Sequence, residues 1–321
     1  MLFRSAEQLF NLAQRVGDPA LLQLGQHALG AAAFWLGEPT VAREHLDKGI
    51  ALYAPERHRS DAFVYGRDPG VASLGTAAVA LWHLGYPDQA LKRSDEAIAL
   101  ARKIAHPFNL GFALQFAAWH HALRREWPMA AEHAEAIVAL SAEQGFANEL
   151  VWGDFHRGHA LAEQGRTDEG IAQMRDALAA MLSSGHEIDR PANLARLAAA
   201  CGIAGRTDDA LALLAEALAL VEGRDERHWE AEIYRVKGEL LLESGGSFEA
   251  ETCFCRAIKV ARRQSAKSLE LRATTSLARL LDKQGRKDEA QRMLSEIYGW
   301  FTEGFDTVDL KEAKALLEEL S

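Results

Sequence analysis

Gly165-Arg166-Thr167-Asp168-Glu169-Gly170 and, forty residues later, Gly205-Arg206-Thr207-Asp208-Asp209-Ala210 are two copies of one turn. Each sets a Gly that can close one helix ahead of acids that favour the first turn of the next. The same Gly-x-x-x-x-Ala form recurs as Gly37 to Ala42, Gly85 to Ala90, Gly245 to Ala250 and Gly285 to Ala290, with Arg125 to Ala130 in the third place. From Gly85 onward every step is 40 residues. Twelve residues before each Ala or Gly that ends the turn stands a second small residue: Gly30, Ala78, Ala118, Gly158, Ala198, Gly238 and Ala278. A period of this length marks an array of supersecondary units and overrides the two-domain expectation that 321 residues would otherwise give.

Between these marks the pattern is helical. Ala210, Leu211, Leu213, Leu214, Ala217, Leu218 and Val221 recur at helical spacing, and strand signals are absent. Each unit therefore reads as a helix-turn-helix. Small residues at fixed places let helix A approach helix B and let the next unit stack behind, burying a core that no single unit could bury. The expectation is one elongated all-α solenoid over 1–321. Within it, 1–17 is the remaining helix of a preceding repeat, 18–301 holds seven repeats, 54–70 is an inserted loop and 302–321 is a capping segment.

Composition bounds the rest. With 48% hydrophobic residues, three Cys and 25 Gly, the chain is neither disordered, disulfide-built nor collagen-like. No apolar run approaches the ~20 residues that span a bilayer, and the start, Met1-Leu2-Phe3-Arg4-Ser5-Ala6-Glu7-Gln8, does not read as a signal peptide. A net charge of −10 is a poor match for nucleic acid. A cytoplasmic protein without membrane or nucleic-acid partners is expected.

A small residue at position 8, Gly at 15, Ala at 20 and a small or apolar residue at 27 (Gly49, Ala97, Ile137, Ala177, Ala217, Ala257, Ile297) resembles the tetratricopeptide repeat, in a 40-residue version. This resemblance implies a right-handed superhelical solenoid. Arg125 departs from the Gly at 15, and Ser94 from the apolar preference at 24. Three segments carry a narrower likeness: His58-Arg59-Ser60 with Tyr65 to Val71, Leu84 to Ala90, and Trp300 to Asp306 running into Asp309 to Lys314. They resemble the carboxy-terminal repeat region of large bacterial proteins that join a class III adenylate or guanylate cyclase domain, a P-loop ATPase module and tetratricopeptide repeats. The implied role is the sensor or scaffold portion of such a protein, with the cyclase or ATPase domains as possible partners.

Constellations for catalysis are missing. Gly-Lys does not occur, so there is no Walker A loop, and no Gly-x-Ser-x-Gly elbow exists. His186-Glu187 is followed by Ile188-Asp189-Arg190, without the second His of a zincin helix. Cys253 and Cys255 point to different sides of one helix and Cys201 is remote, so all three read as structural. His120, His121, His156 and His159 come near one another if repeats three and four stack, but such pairs are more often buried or solvated than ligating. Neither a cofactor nor a metal is expected, and the protein reads as a non-enzyme.

In tetratricopeptide arrays helix A lines a concave groove. The positions that correspond here include Phe34, Trp35, Trp82, His83, Phe112, Gln115, Trp119, Trp152, Phe155 and His159. Such aromatics would anchor a peptide or helix, or else fill the groove and pack helix A on helix B. A small-molecule sensor would instead need a closed pocket, and the repeat tail of an ATPase-type transcriptional regulator would differ only in what is attached. In repeats six and seven the corresponding residues are charged (Glu232, Arg235, Glu239, Glu243, Arg272, Arg279, Asp282, Lys283) and read as a solvated face. The inserted loop offers Arg57, His58, Arg59 and Arg67 to an anion. Thr307 to Leu320 should form a helix that caps the last repeat with Leu310, Ala313, Leu316, Leu317 and Leu320.

Overall fold

The computed structural model describes residues 2–54 and 66–321. Among them lie sixteen α-helices and no strand. α1 (Leu2–Val16) precedes seven antiparallel pairs: α2/α3 (Pro19–Trp35, Pro39–Leu52), α4/α5 (Pro69–His83, Pro87–Ile104), α6/α7 (Pro107–Leu123, Trp127–Gln144), α8/α9 (Ala147–Glu163, Thr167–Ser183), α10/α11 (Arg190–Ile203, Thr207–Arg224), α12/α13 (Glu230–Glu243, Ser247–Arg263) and α14/α15 (Lys267–Lys283, Lys287–Tyr298). α16 (Val308–Glu319) follows. No helix among the described residues is long and apolar enough to cross a membrane.

The periodic residues explain the pairs. The turn glycines adopt left-handed φ values, from +71° at Gly205 to +90° at Gly165. The following backbone N–H then reaches back across the turn, as Tyr86 N does to Leu81 O at 2.9 Å. Arg125 takes the same conformation, φ +61°, so the third repeat turns as the others do. The small residues sit where helices A and B touch. A Cβ on Gly238 would lie 2.5 Å from Phe254 Cε1, and one on Gly158 2.9 Å from the Gly170 carbonyl oxygen.

One contiguous core runs from Ala33 to Leu269, and a second joins α13 to α16 through Phe254, Leu277, Leu281, Leu294, Leu310 and Leu316. α16 packs its Leu310, Ala313 and Leu316 side against the last repeat.

The array is not an open, elongated stack. It curls until the A-to-B turns of the first three repeats meet the loops ahead of the A helices of the sixth and seventh repeats and α16. Arg227 N donates to Trp35 O at 2.8 Å, and Ser268 Oγ to Trp82 O at 2.5 Å. Arg272 donates to Leu123 O at 2.5 Å and lies over the Trp82 ring. Asp88 N and Gln89 N, free donors at the start of α5, both donate to Glu303 Oε1 at 3.0 Å, so a residue more than two hundred positions away caps that helix. Gly304 N returns a bond to Asp88 Oδ2 at 3.0 Å. Gly85 must lack a side chain here, since a Cβ would lie 2.6 Å from Trp300.

Candidate functional site

Closure decides where the groove residues go. Phe34, Trp82, His83 and Phe155 are almost wholly buried, and Phe112, Trp119, Trp152 and His159 nearly so; Trp35 and Gln115 are half-buried. Trp35 stacks on Trp119 with centroids 5.9 Å apart, and Phe34 meets both rings edge-on. His228, from the loop ahead of α12, wedges among Phe34, Trp35 and Trp119. Trp152 packs on His156 and His186, away from that cluster. Concave aromatics from the first repeats are thus covered by residues of the sixth, and they fill the face they line.

Arg67, from the end of the inserted loop, lies 3.7 Å over the Phe112 ring. Arg57, His58 and Arg59 lie outside the described residues.

The charged row of repeats six and seven differs from the solvated face that was expected. Glu232 is 6% exposed, and the Arg272 side chain 11%. The curl turns Glu232, Arg235, Arg272 and Arg279 toward a cavity of about 250 Å³, while Glu243, Asp282 and Lys283 stay exposed as expected. Five arginines (Arg125, Arg196, Arg235, Arg272, Arg279) and four acids (Glu163, Glu232, Asp309, Glu312) share its wall with Trp119, Trp127, His159 and Trp229. Of the groove residues expected from repeats one to four, Trp119, Leu123, His159 and Glu163 belong to it. The floor is Trp119, Arg196 and Trp229, with the Arg196 guanidinium held between the two indoles at 5.3 and 5.2 Å. The rim is half-exposed and made by Arg125, Arg279 and Glu312.

Most of these charges are paired. Arg272 donates to Asp309 at 2.8 Å, Arg235 to Glu232 at 2.7 Å, and Arg125 and Arg279 hold Glu312 at 2.7 and 3.0 Å. Burial opposes ionisation of Glu232, but the charges of Arg235 and Arg272 outweigh it and hold the carboxyl at about 2. Glu163 is the exception. Among the described residues its one ionisable neighbour within 4.0 Å is His159. Burial raises its carboxyl above the usual range, and Arg125, Arg272 and Arg235 only partly offset this. His159 itself is held neutral, its pKa lowered to about 3 by burial and then by Arg196. The cavity therefore presents a preorganised charge network with one acceptor left over.

Arg125 explains its own departure from the repeat. A Gly would serve the turn equally well, but its side chain would not reach Asp309 and Glu312 of the cap. Cys201 is buried, Cys253 half-buried and Cys255 exposed. Among the described residues the grouping with metal-ligand geometry is not His120, His121, His156 and His159 but Asp189, Glu226 and His228.

The tetratricopeptide repeat family matches residues 189–263. The array is a TPR-like solenoid. A Rhizobium meliloti (strain 1021) protein named Uncharacterized protein R02095 is 24% identical over 284 residues, 86% of this chain and 27% of the relative. The chain thus spans about a quarter of that relative's length. A Rap protein complexed with competence and sporulation factor superposes with a TM-score of 0.61 at 13% identity, over 79% of this chain and 67% of Rap. NprR in complex with its cognate peptide NprX does so with a TM-score of 0.60 at 13% identity, over 92% and 82% of the two chains. At this identity the likeness establishes the fold.

Proposed function

We propose that the chain is a non-catalytic regulatory interaction module that takes a short polar peptide segment into the charged cavity of its concave face. The carrying observation is the lining: five arginines and four acids around a floor of Trp119 and Trp229, with Glu163 unpaired by any arginine. Paired charges fixed before binding give orientation and specificity at little ordering cost. The leftover Glu163 acceptor suits an amino group or a basic side chain. The cavity volume, just under the usual range for ligand pockets, fits one or two residues of a peptide. Rap and NprR, solenoids of the same fold, are known in complex with a factor and a peptide. The cap contributes Asp309 and Glu312, so occupancy would act on α16 and on the closure. Resemblance of its sequence to the repeat region of cyclase and ATPase proteins is what supports signalling to such catalytic domains as the role.

The buried floor favours one further reading, a sensor for a small polar molecule in the same cavity. Selection from a displayed random-peptide library separates the two. The wild type should enrich a consensus that carries a basic group, and Glu163→Ala with Arg279→Ala should lose it while keeping the circular dichroism spectrum. Failure to enrich, with a co-purifying small molecule in native mass spectrometry, would replace the peptide reading by the sensor.

A further inference from the structure

Asp189 ends the loop before α10, and Glu226 and His228 lie in the loop before α12. One donor atom from each falls within 4.8 Å of the other two. Asp189 and His228 are each 2% exposed. Their Oδ1 and Nε2 atoms form a close pair at 3.0 Å that is out of line for a ring N–H hydrogen bond. More than nine in ten buried polar groups make well-formed hydrogen bonds in folded proteins, so two facing atoms without an aligned bond leave room for a third party. Adjacent donors on a tetrahedral ion with bonds of about 2.0–2.1 Å sit about 3.3 Å apart, close to the spacing seen here.

The surroundings are those of oriented ligands. Arg196 Nη1 donates to Asp189 Oδ2 at 2.7 Å and leaves Oδ1 free. Asp189 N donates to Glu226 Oε1 at 2.7 Å. Such partners fix the direction of ligating carboxylates. Asp189 also forgoes the work its position invites. It stands at the N-cap of α10 without capping it, and holds a left-handed φ of +65° that a non-glycine residue adopts only at a cost. The residue in this costly conformation carries the carboxylate that faces His228.

We propose that Asp189, Glu226 and His228 bind one divalent transition-metal ion, with Zn²⁺ as the probe, through the half-exposed Glu226 side. Two carboxylates and an imidazole match the oxygen and nitrogen preference of Zn²⁺, with a fourth position left for water. The ion would pin the loop before α12 to the loop before α10. Because His228 packs against Phe34, Trp35 and Trp119, the ion would also stiffen the closure of the array.

The test uses the full chain, stripped with a chelator and titrated with Zn²⁺ by calorimetry, in wild type and in Glu226→Gln. Glu226 is half-exposed, and the isosteric change spares the aromatic core. One equivalent should bind to wild type, and Glu226→Gln should weaken it by at least about 10-fold with an unchanged circular dichroism spectrum. Zn²⁺ should raise the melting temperature of wild type more than that of the variant. The Co²⁺-loaded protein should show tetrahedral d–d bands without thiolate charge transfer. Absence of binding, or equal affinity in Glu226→Gln, overturns the proposal. So does a thiolate band that vanishes with Cys253→Ser and Cys255→Ser, because the cysteines would then hold the ion.

Discussion

Mild acid should destabilise this protein, and the imidazoles set the window. Burial first, then nearby cationic groups, hold His83, His120, His156 and His159 neutral with pKa values lowered to about 3, and His27 to about 4. A lowered imidazole pKa means that the unfolded chain binds more protons below pH 6.5, so stability is intact above that value and falls as pH falls through the window down to about 3. At pH 5.5 each neutral imidazole forgoes somewhat over 1 kcal/mol, so five forgo about 7, against about 1 at pH 7. Glu226 works in the opposite sense. Burial and the charge of Asp189 push its carboxyl up to about 8, and it returns about 2 kcal/mol over the same interval. The net loss of about 4 kcal/mol is a large part of the ~5–15 kcal/mol that holds a typical domain folded. For 321 residues it lowers the melting temperature by about 6 °C. Glu126 and Glu232, both held at about 2 from an ordinary 4.5, begin to cost stability only as pH approaches 4.5 and scarcely affect the range above pH 5. Calorimetric melts at half-unit steps from pH 7.5 to 5 measure the effect. A melting temperature that stays flat over that range would refute the burial of these imidazoles as neutral groups.

Gly170→Ala should destabilise by about 1–3 kcal/mol, although Ala stands at this place in six of the seven repeats and is the better helix former, because its Cβ would meet Ala162 N at 2.6 Å; chemical denaturation reads the change. Arg125→Gly should move stability by less than about 1 kcal/mol, since relief of the left-handed conformation offsets two half-exposed ion pairs, yet hydrogen exchange in residues 305–320 should quicken; unchanged exchange would mean that the side chain does not hold the cap. Deletion of residues 305–321 should uncover Leu277, Leu280 and Leu281 and lower both solubility and melting temperature, measured by sedimentation and calorimetry.

Local structure was legible because the repeat writes each instruction several times. Gly205 and its equivalents mark turns, and Ala198 and its equivalents mark contacts, each within about 12 residues of the partner it serves. Arg125 was legible as an exception but not as a strut, because its partners Asp309 and Glu312 are more than 180 positions away. Closure escaped for the same reason. Curvature in a solenoid accumulates from small rotations between repeats, and no single repeat carries the sum. Glu232 and Arg272 have the composition of a solvated face, and only the curl makes them a cavity wall. His228 belongs to no repeat position, so nothing in the period connects it with Phe34 or with Asp189.

The closed concave face is the claim on which the cavity depends, and small-angle X-ray scattering of the monomer tests it most directly. A compact chain of 321 residues should scatter with a radius of gyration of about 20 Å. An open stack of seven helix pairs about 10 Å apart, flanked by α1 and α16, would be nearly 80 Å long, with a radius of gyration of about 25 Å or more. A value near 20 Å supports an array whose ends meet around a charged interior, and one of 25 Å or above contradicts it.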